Sequence, residues 1–231
     1  MMMKLVKYDD LGRNQFSWLD ARHHFSFGQY HDPKRMGFAN LRVVNDDIVK
    51  AHSGFDTHPH RDMEIITYVR QGAITHRDSM GNEGRTEAGD VQVMSAGSGV
   101  YHSEHNEEDI DTNLYQIWIL PNEARVKPRW DAKKFPKEEG QTELSLLVSG
   151  DEADDALFIH ADAKIYGGQF AKSLKLAHTG DGTSYILVSQ GQIKSGDITA
   201  HKGDAIEVTD QKELSFEMIE DSEILVIDLE G

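Results

Sequence analysis

Short apolar runs, each ended within a few residues by glycine, asparagine or aspartate, are the feature that most restricts how this chain can fold. Eight runs rich in β-branched and aromatic residues predict strands, and they occupy residues 41–44, 64–69, 91–94, 114–120, 144–148, 184–188, 205–208 and 223–229. None keeps the 3.6-residue apolar period of an amphipathic helix, although residues 17–21 fit a short helix. The sequence therefore predicts an all-β protein.

Turn-forming residues divide these runs. The segment "SMGNEG" at residues 79–84 is typical of a hairpin turn between two strands. Asn45, Asp46 and Asp47 follow the first run, and we interpret them as a turn because Asn and Asp side chains bond readily to nearby backbone.

Prolines and a weak repeat indicate two domains. Pro121, Pro128 and Pro136 lie within 16 charge-rich residues, and a residue without an N–H cannot serve an interior sheet position. "YVRQG" ending at Gly72 with "AGD" at 88–90 resembles "LVSQG" ending at Gly191 with "KGD" at 202–204, as a structural duplication would produce. The expected organisation is an N-terminal domain, a linker and a C-terminal domain at residues 1–121, 122–140 and 141–231.

Composition limits the class of function. The chain has 231 residues, of which 38% are hydrophobic, so it can form a sizeable core without cross-links. It has no cysteine, which excludes disulfides, thiolate metal sites and a cysteine nucleophile. A net charge of −16 argues against a nucleic-acid or anionic-membrane surface. Without a signal peptide pattern or a run of 18 apolar residues, we expect a soluble cytoplasmic monomer.

Histidines cluster in the first half of the chain, where six of the twelve lie between residues 52 and 105. His58 and His60 are two residues apart, so on a strand they share one face about 6.5 Å apart. Pro59 between them fits an edge strand or a strand start. His102 and Glu104 form a second pair of the same spacing. On neighbouring strands the two pairs offer three imidazoles and a carboxylate to one metal ion and leave open positions for substrate.

Several segments resemble the pirin family and, through it, the two cupin motifs. They are "HHFSFGQYHDPKRMGFANLRVVNDD" at 23–47, "THPHRDMEIITYVRQG" at 57–72, "MSAGSGVYHSEHN" at 94–106 and "LYQIWILP" at 114–121. The resemblance covers residues 15–121 strongly and the remainder weakly. It implies two cupin jelly-roll barrels in tandem, a metal-binding N-terminal one and a metal-free C-terminal one. It also implies quercetin 2,3-dioxygenase activity, as in bacterial members, whereas other members are regulatory proteins.

The family's ligands carried over to matching positions are His58, His60, His102 and Glu104, while the general cupin pattern would nominate Glu64. Glu64 lies four residues beyond His60, or roughly 13 Å along a straight strand. Glu104 needs no bend to act beside His102, so we favour Glu104. Glu64 would then serve as an outer acceptor that orients an imidazole N–H.

The expected function is metal-dependent cleavage of a small aromatic substrate, a flavonol such as quercetin, with O₂. Fe(II) is the first expectation for the single divalent ion, with Cu, Ni, Co, Mn and Zn as alternatives, because imidazole and carboxylate accept several first-row ions. Glu104 is the expected catalytic residue, as a ligand and as the base that accepts the flavonol hydroxyl proton.

Two alternatives remain open. One is a metallo-β-lactamase-like hydrolase, whose signature "HPHRD" mimics in part, although Met63 stands where its terminal histidine belongs and the helices of that sandwich are not evident. The other is a metal- or redox-sensing regulatory protein that acts through a protein partner.

The remaining histidines receive structural interpretations. His23, His24 and His31 sit among aromatic residues and are expected to form structural hydrogen bonds. His105 has the opposite strand parity to His102 and is expected to face outward, whereas His52 and His76 could line a pocket mouth.

Overall fold

The computed structural model describes residues 2–135 and 140–229. They form two compact units. The N-terminal unit comprises residues 12–135 and 157–161, and the C-terminal unit comprises residues 2–11, 140–156 and 162–229.

Strands make up almost all the regular structure of the described residues. In chain order those of the first half are β1 (Met2–Val6), β2 (Gly12–Gln15), β3 (Leu19–His23), β4 (Leu41–Val49), β5 (Ser53–His60), β6 (Glu64–Gln71), β7 (Ala73–Asp78), β8 (Glu83–Glu87), β9 (Val91–Ser95), β10 (Val100–Asn106) and β11 (Thr112–Ile119). Those of the second half are β12 (Arg129–Lys133), β13 (Ser145–Ser149), β14 (Leu157–Phe158), β15 (Ala163–Phe170), β16 (Lys175–Thr179), β17 (Thr183–Gln190), β18 (Gln192–Ser195), β19 (Ile198–His201), β20 (Ala205–Thr209), β21 (Glu213–Met218) and β22 (Ser222–Leu229).

Two antiparallel sheets build the N-terminal unit. The larger has the order β12-β9-β6-β11-β4-β3-β2, and the smaller has the order β5-β10-β7-β8. Apolar side chains fill part of the interior, and one cluster joins both sheets through Ile74 of β7 with Val69 and Leu114 of the larger sheet. β5 lies at a sheet edge, which allows Pro59 in a strand because its missing N–H interrupts no interior ladder.

The C-terminal unit repeats this arrangement. Its larger sheet contains the order β1-β20-β17-β22-β15-β13, and its smaller sheet has the order β16-β21-β18-β19. Gly72 after β6 and Gly191 after β17 take the same left-handed backbone, with φ of 72° and 77°. The repeat seen in the sequence is therefore a structural duplication, and the predicted all-β class with two jelly-roll domains in tandem is confirmed.

Most local predictions agree with the structure. All eight apolar runs overlap strands, and "SMGNEG" connects β7 to β8. The helix suggested for residues 17–21 is wrong, because residues from Leu19 onward form β3, with alternate side chains buried in the core.

The turn at Asn45, Asp46 and Asp47 is also wrong, since all three lie within β4 and are buried. Partners from other strands compensate for burial of two of these polar groups. Asn45 bonds the His23 ring at 2.7 Å, and Asp46 forms an ion pair with Arg70.

The compact units differ from the predicted domains because strands are exchanged along the chain. Residues 2–11 belong to the C-terminal unit, where β1 pairs with β20. Residues 129–133, inside the expected linker, form β12 and pair with β9. The linker residues 136–139, including Pro136, lie outside the described residues.

Helical structure in the described part of the chain is a single 3-10 turn, Tyr8–Asp10. The hydrolase alternative requires helices flanking its sheets, so this architecture contradicts it. Within the same described residues, no helix has the length and hydrophobicity needed to cross a bilayer.

Candidate metal centre

Neighbouring strands of the smaller N-terminal sheet bring three histidines together. β5 carries His58 and His60, β10 carries His102, and His102 pairs directly with His58 in the ladder. Buried and exposed positions alternate along β10, so His102 and Glu104 share its inner face despite a bulge between them. Strand parity therefore predicted correctly which side chains share a face.

The three imidazoles form a group that can hold a metal ion. One nitrogen of each lies within 4.8 Å of those of the other two. Nε2 of His102 is 3.1 Å from Nε2 of His58. Two nitrogens about 2.1 Å from one ion and at a right angle to each other would be about 3 Å apart, so this spacing fits two adjacent ligands.

Burial keeps two of these histidines in the neutral form that metal binding requires. The pKa of His102 is lowered to about 3, chiefly by burial and in part by the neighbouring rings of His58 and His76. Burial likewise lowers the pKa of His60 to about 4, with contributions from His102 and His58. Both side chains therefore present lone pairs at neutral pH.

A backbone carbonyl selects the tautomer of His58. Its Nδ1 lies 2.7 Å from the carbonyl oxygen of Asp56. Because a carbonyl oxygen can only accept, Nδ1 must carry the proton. Nε2 of a neutral His58 is then bare and faces the group.

Glu104 is buried and fixed by neutral donors from the opposite sheet. Its Oε1 accepts hydrogen bonds from Gln92 Nε2 at 2.7 Å and Thr67 Oγ1 at 3.1 Å. Its Oε2 accepts one from Gln116 Nε2 at 3.0 Å. Glu104 is not among the side chains whose ligand atoms lie within 4.8 Å of one another, although its charge opposes the lowering of the His60 pKa.

These donors belong to a polar row that crosses the larger sheet. Gln92, Thr67, Gln116 and Asn45 occupy paired positions on β9, β6, β11 and β4. The Trp118 indole N–H donates to Gln116 Oε1 at 3.1 Å. Since an indole N–H can only donate, it turns the amide nitrogen of Gln116 toward Glu104.

Glu64 has a different environment from the one expected. It is fully buried, accepts a 2.7 Å hydrogen bond from Ser95 Oγ, and interacts with the backbone N–H of His160. Neither partner is an imidazole, so the expected role in orienting a ligand is wrong. Glu64 begins β6 in the larger sheet, after a turn at Asp62 (φ 47°) through which the chain leaves β5 and its histidines.

Sequence reasoning missed two residues behind His102. His76 Nδ1 lies 3.4 Å from His102 Nδ1, and His76 Nε2 lies 3.2 Å from Asp78 Oδ2. His76 is buried rather than at a pocket mouth. The spacing of His76 and Asp78, two residues apart on one strand, is the same signal that identified the other pairs.

The other histidines divide between core and surface. His23 forms the expected structural hydrogen bond to Asn45, and His24 is also buried. His105 faces away from His102 and is half-buried, and His52 is an exposed turn residue near Asp109.

A pocket of about 250 Å³ in the N-terminal unit is lined by His31 and aromatic residues including Phe27, Tyr30 and Trp118. The Trp118 ring contacts the His60 ring edge to face at 4.9 Å. Arg42 adds a cationic group to the lining. The pocket therefore adjoins the histidines through one shared aromatic side chain.

The corresponding interior of the C-terminal unit is apolar. Aligned through the strand pairings, Thr67, Gln92, Gln116 and Glu104 correspond to Ile186, Ile206, Val226 and Phe216 of its buried core. His58 has a histidine counterpart in His178, which bonds Asp228 at 2.7 Å, but His102 corresponds to Leu214.

Comparison with known proteins agrees with this architecture. The model of the family described as Pirin matches residues 6–119, and that of the Quercetinase C-terminal cupin domain matches residues 146–229. A quercetin 2,3-dioxygenase of Escherichia coli K12 is 39% identical, with 99% of each chain covered. A pirin-like protein of Caulobacter vibrioides is 42% identical over 98% of this chain and 99% of the other.

A solved structure agrees equally well. The bacterial pirin YhhW of Escherichia coli in complex with nickel(II) matches with a TM-score of 0.92 and 38% identity, covering 99% of both chains. Matches of this length and identity extend over both jelly-roll units, so the chain is a two-domain cupin protein that belongs to the pirin family.

Proposed function

We propose that this protein is a metal-dependent dioxygenase that cleaves flavonols such as quercetin with O₂. The observation that carries the proposal is the convergence of three imidazole nitrogens within 4.8 Å in the N-terminal jelly roll. The full-length similarity to a protein named quercetin 2,3-dioxygenase supports this choice among the chemistries that cupin metal sites perform.

His58, His60 and His102 would hold the ion, with Glu104 as the fourth ligand. When bound, such an ion supplies a Lewis acid that lowers the pKa of a coordinating hydroxyl. Fe(II) remains the first expectation. Ni(II) has direct support from a relative, since the 38% identical pirin was crystallised with nickel.

The chain's own groups would position the substrate and receive its proton. The planar rings of a flavonol suit the pocket formed by Phe27, Tyr30 and Trp118, next to His60. Glu104 would accept the flavonol hydroxyl proton. The neutral donors Gln92 and Gln116 would hold it in position for that transfer.

The decisive experiment combines metal analysis with turnover. The purified protein is analysed for bound metals, stripped, reloaded separately with Fe(II) and Ni(II), and assayed for quercetin decay in air. We expect decay that requires added metal and O₂, and that His58→Ala abolishes. His52→Asn is the matched control, because His52 is an exposed histidine of the same unit and asparagine tolerates its left-handed backbone, φ 57°.

Two results would overturn the proposal. Metal binding without quercetin decay, together with a stable protein partner in a pull-down, would favour the regulatory alternative. Equal decay in wild type and His58→Ala would remove the metal centre from the reaction.

A further inference from the structure

A chain of polar groups runs outward from the metal centre behind His102. It passes from His102 Nδ1 to His76 Nδ1 at 3.4 Å, and from His76 Nε2 to Asp78 Oδ2 at 3.2 Å. The side chains of His76 and Asp78 are both almost fully buried, at 1% and 0% exposure. Buried polar groups in contact must agree on the placement of their hydrogens.

The hydrogen placement is dictated from the carboxylate end. An ionised carboxylate can only accept, so His76 Nε2 carries the proton that bonds Asp78. A neutral His76 then has a bare Nδ1, which accepts from His102 Nδ1–H. His102 is left with a bare Nε2, and this is the nitrogen that lies 3.1 Å from His58 Nε2 in the metal centre.

Local structure holds the Asp78 side chain in place as an acceptor. The Asn82 side-chain amide donates to Asp78 Oδ2 at 2.8 Å. The backbone N–H groups of Met80 and Asn82 both donate to Oδ1, at 2.9 and 3.0 Å. The β7–β8 turn is therefore the anchor of the chain.

Packing holds the middle of the chain. Trp130 of β12 stacks on the His76 ring, with centroids 5.1 Å apart and planes inclined by 9°. Trp130 lies over Gly84, where a Cβ would fall 2.1 Å from its Cη2 atom. Glycine at this position lets the indole reach His76 and fix its ring plane.

We propose that His76 and Asp78 are positioning residues that fix His102 in the tautomer whose Nε2 faces the metal ion. The inference rests on the metal centre of the proposed function, and it applies with or without flavonol turnover. Outer partners of metal-bound histidines typically contribute about 10- to 100-fold in metal affinity.

Two substitutions of His76 separate positioning from packing. His76→Phe keeps a ring against Trp130 but removes the acceptor for His102. His76→Asn loses the ring but can place its side-chain oxygen near the position of Nδ1. Ni(II) affinity, measured by competition with a chelator, should fall about 10- to 100-fold in His76→Phe, and His76→Asn should retain most of the wild-type affinity.

Packing alone would produce the reverse order. An affinity in His76→Asn as low as in His76→Phe, or no loss in His76→Phe, would overturn the proposal. His52→Asn is again the control for loss of a histidine outside the chain. The absorption spectrum of the Co(II)-loaded proteins is the accompanying readout, and it should change in His76→Phe because the orientation of a ligand changes.

A measurement on the wild-type protein avoids dependence on variants that could fail to fold. Ring-nitrogen NMR of protein labelled with ¹⁵N-histidine, metal-free and loaded with Zn(II), reports each tautomer. We expect His76 as the neutral Nε2–H form in both states. The Nδ1–H tautomer at His76 would overturn the proposal. If the wild type failed to bind Ni(II), the metal centre itself would be rejected. The NMR measurement would still test the hydrogen-bonded series from His102 through His76 to Asp78.

Discussion

Glu104 combines a charged carboxylate with entirely neutral hydrogen-bond partners. Thr67, Gln92 and Gln116 satisfy it, and the Gln116 amide is itself oriented by the indole of Trp118. An amide at position 104 would direct its NH₂ at one of these donors. The site is thus built for a carboxylate, which supports a chemical role for its charge.

Replacing Glu104 by glutamine tests whether the carboxylate is ligand, base or both. Loss of a general base typically lowers turnover about 10²- to 10⁴-fold, so Glu104→Gln should reduce quercetin cleavage by at least about 10²-fold. Bound metal should fall less, because three imidazoles remain. Elemental analysis and quercetin decay on the same preparation measure both quantities.

Glu107→Gln, which makes the same charge change at an exposed glutamate paired with Arg77, is the control. Equal loss of metal and turnover in Glu104→Gln would restrict Glu104 to a ligand role. Unchanged turnover would remove it from the mechanism.

Glu64 supplies a pH-dependent contribution to stability. Burial raises its pKa from the ordinary 4.5 to about 7, a net value that includes the opposing hydrogen bonds from Ser95 and the His160 backbone and the charge of Arg129. The folded protein therefore retains a proton that the unfolded chain releases near pH 4.5. The resulting stabilisation is fully present below about pH 4.5 and is lost as pH rises through about 7.

Glu64→Gln should remove this dependence. Relative to the variant, the wild type should lose up to about 3 kcal/mol of unfolding free energy between pH 4.5 and 7. Urea unfolding of both proteins across this range measures the difference. A constant difference would show that Glu64 has the same pKa in the folded and unfolded states.

The sequence predicts which side chains of the candidate site share a strand face, but not their hydrogen-bond partners. The parity of a strand assigns His58 with His60, and His102 with Glu104, to common faces, because the side-chain period is two. Parity does not specify what lies on the opposite sheet. The three donors to Glu104 come from β6, β9 and β11, and only the folded register places them there. His76 is a different case, because it lies on β7 of the same sheet as His102 and its two-residue spacing from Asp78 is visible in the sequence.

Strands, as elements, were predicted where they bury apolar side chains and missed where polar groups are buried. β4 contains Asn45, Asp46 and Asp47, which are turn formers by local preference. Burial against partners such as Arg70 and His23 overrides that preference. Those partners are distant in sequence or on other strands, so no local pattern indicated them.

Composition likewise does not indicate that β1 belongs to the C-terminal unit and β12 to the N-terminal unit. β1 lies at the start of the chain yet pairs along its whole length with β20, from Met2 with Thr209 to Val6 with Ala205. Its Met3 and Leu5 pack against the C-terminal core. Such long-range pairing leaves no periodic signal, which is why the linker and domain bounds taken from prolines differ from the compact units.

Deleting residues 2–6 should therefore destabilise the C-terminal unit rather than the N-terminal one. Loss of the β1–β20 ladder and of partly buried apolar side chains should lower its unfolding free energy by about 3 kcal/mol. The newly exposed edge of β20 should promote association. Urea unfolding and light scattering measure the two effects.

Lys4→Ala is the matched control. It removes only the exposed ion pair of Lys4 with Glu207, 3.1 Å, and should change stability by less than about 1 kcal/mol. Wild-type stability after the deletion would show that β1 contributes little to the unit.

The protein contains two units of the same topology, and their interiors differ. Both units have the same strand order, but the polar row around Glu104 corresponds to aliphatic and aromatic residues in the C-terminal core. Buried polar groups gain less on folding than apolar groups of similar size. The polar interior of the N-terminal unit therefore stabilises the fold less than an apolar one would, but it forms a candidate site. The interior of the C-terminal unit is filled with packed apolar side chains.

Metal binding should accordingly protect one unit. Ni(II) at about 100 times its dissociation constant adds about 2.7 kcal/mol to the state that binds it, which corresponds to roughly 100-fold slower exchange of amides that exchange by unfolding of that state. Hydrogen exchange followed by mass spectrometry should show this slowing in β5, β7 and β10. His58→Ala should abolish it.

In that variant, Ni(II) should leave β16–β22 unaffected, because the counterparts of Glu104 and His102 are Phe216 and Leu214. Slowing of β16–β22 by Ni(II) in His58→Ala would reveal a metal site in the C-terminal unit and contradict the division of roles between the two copies.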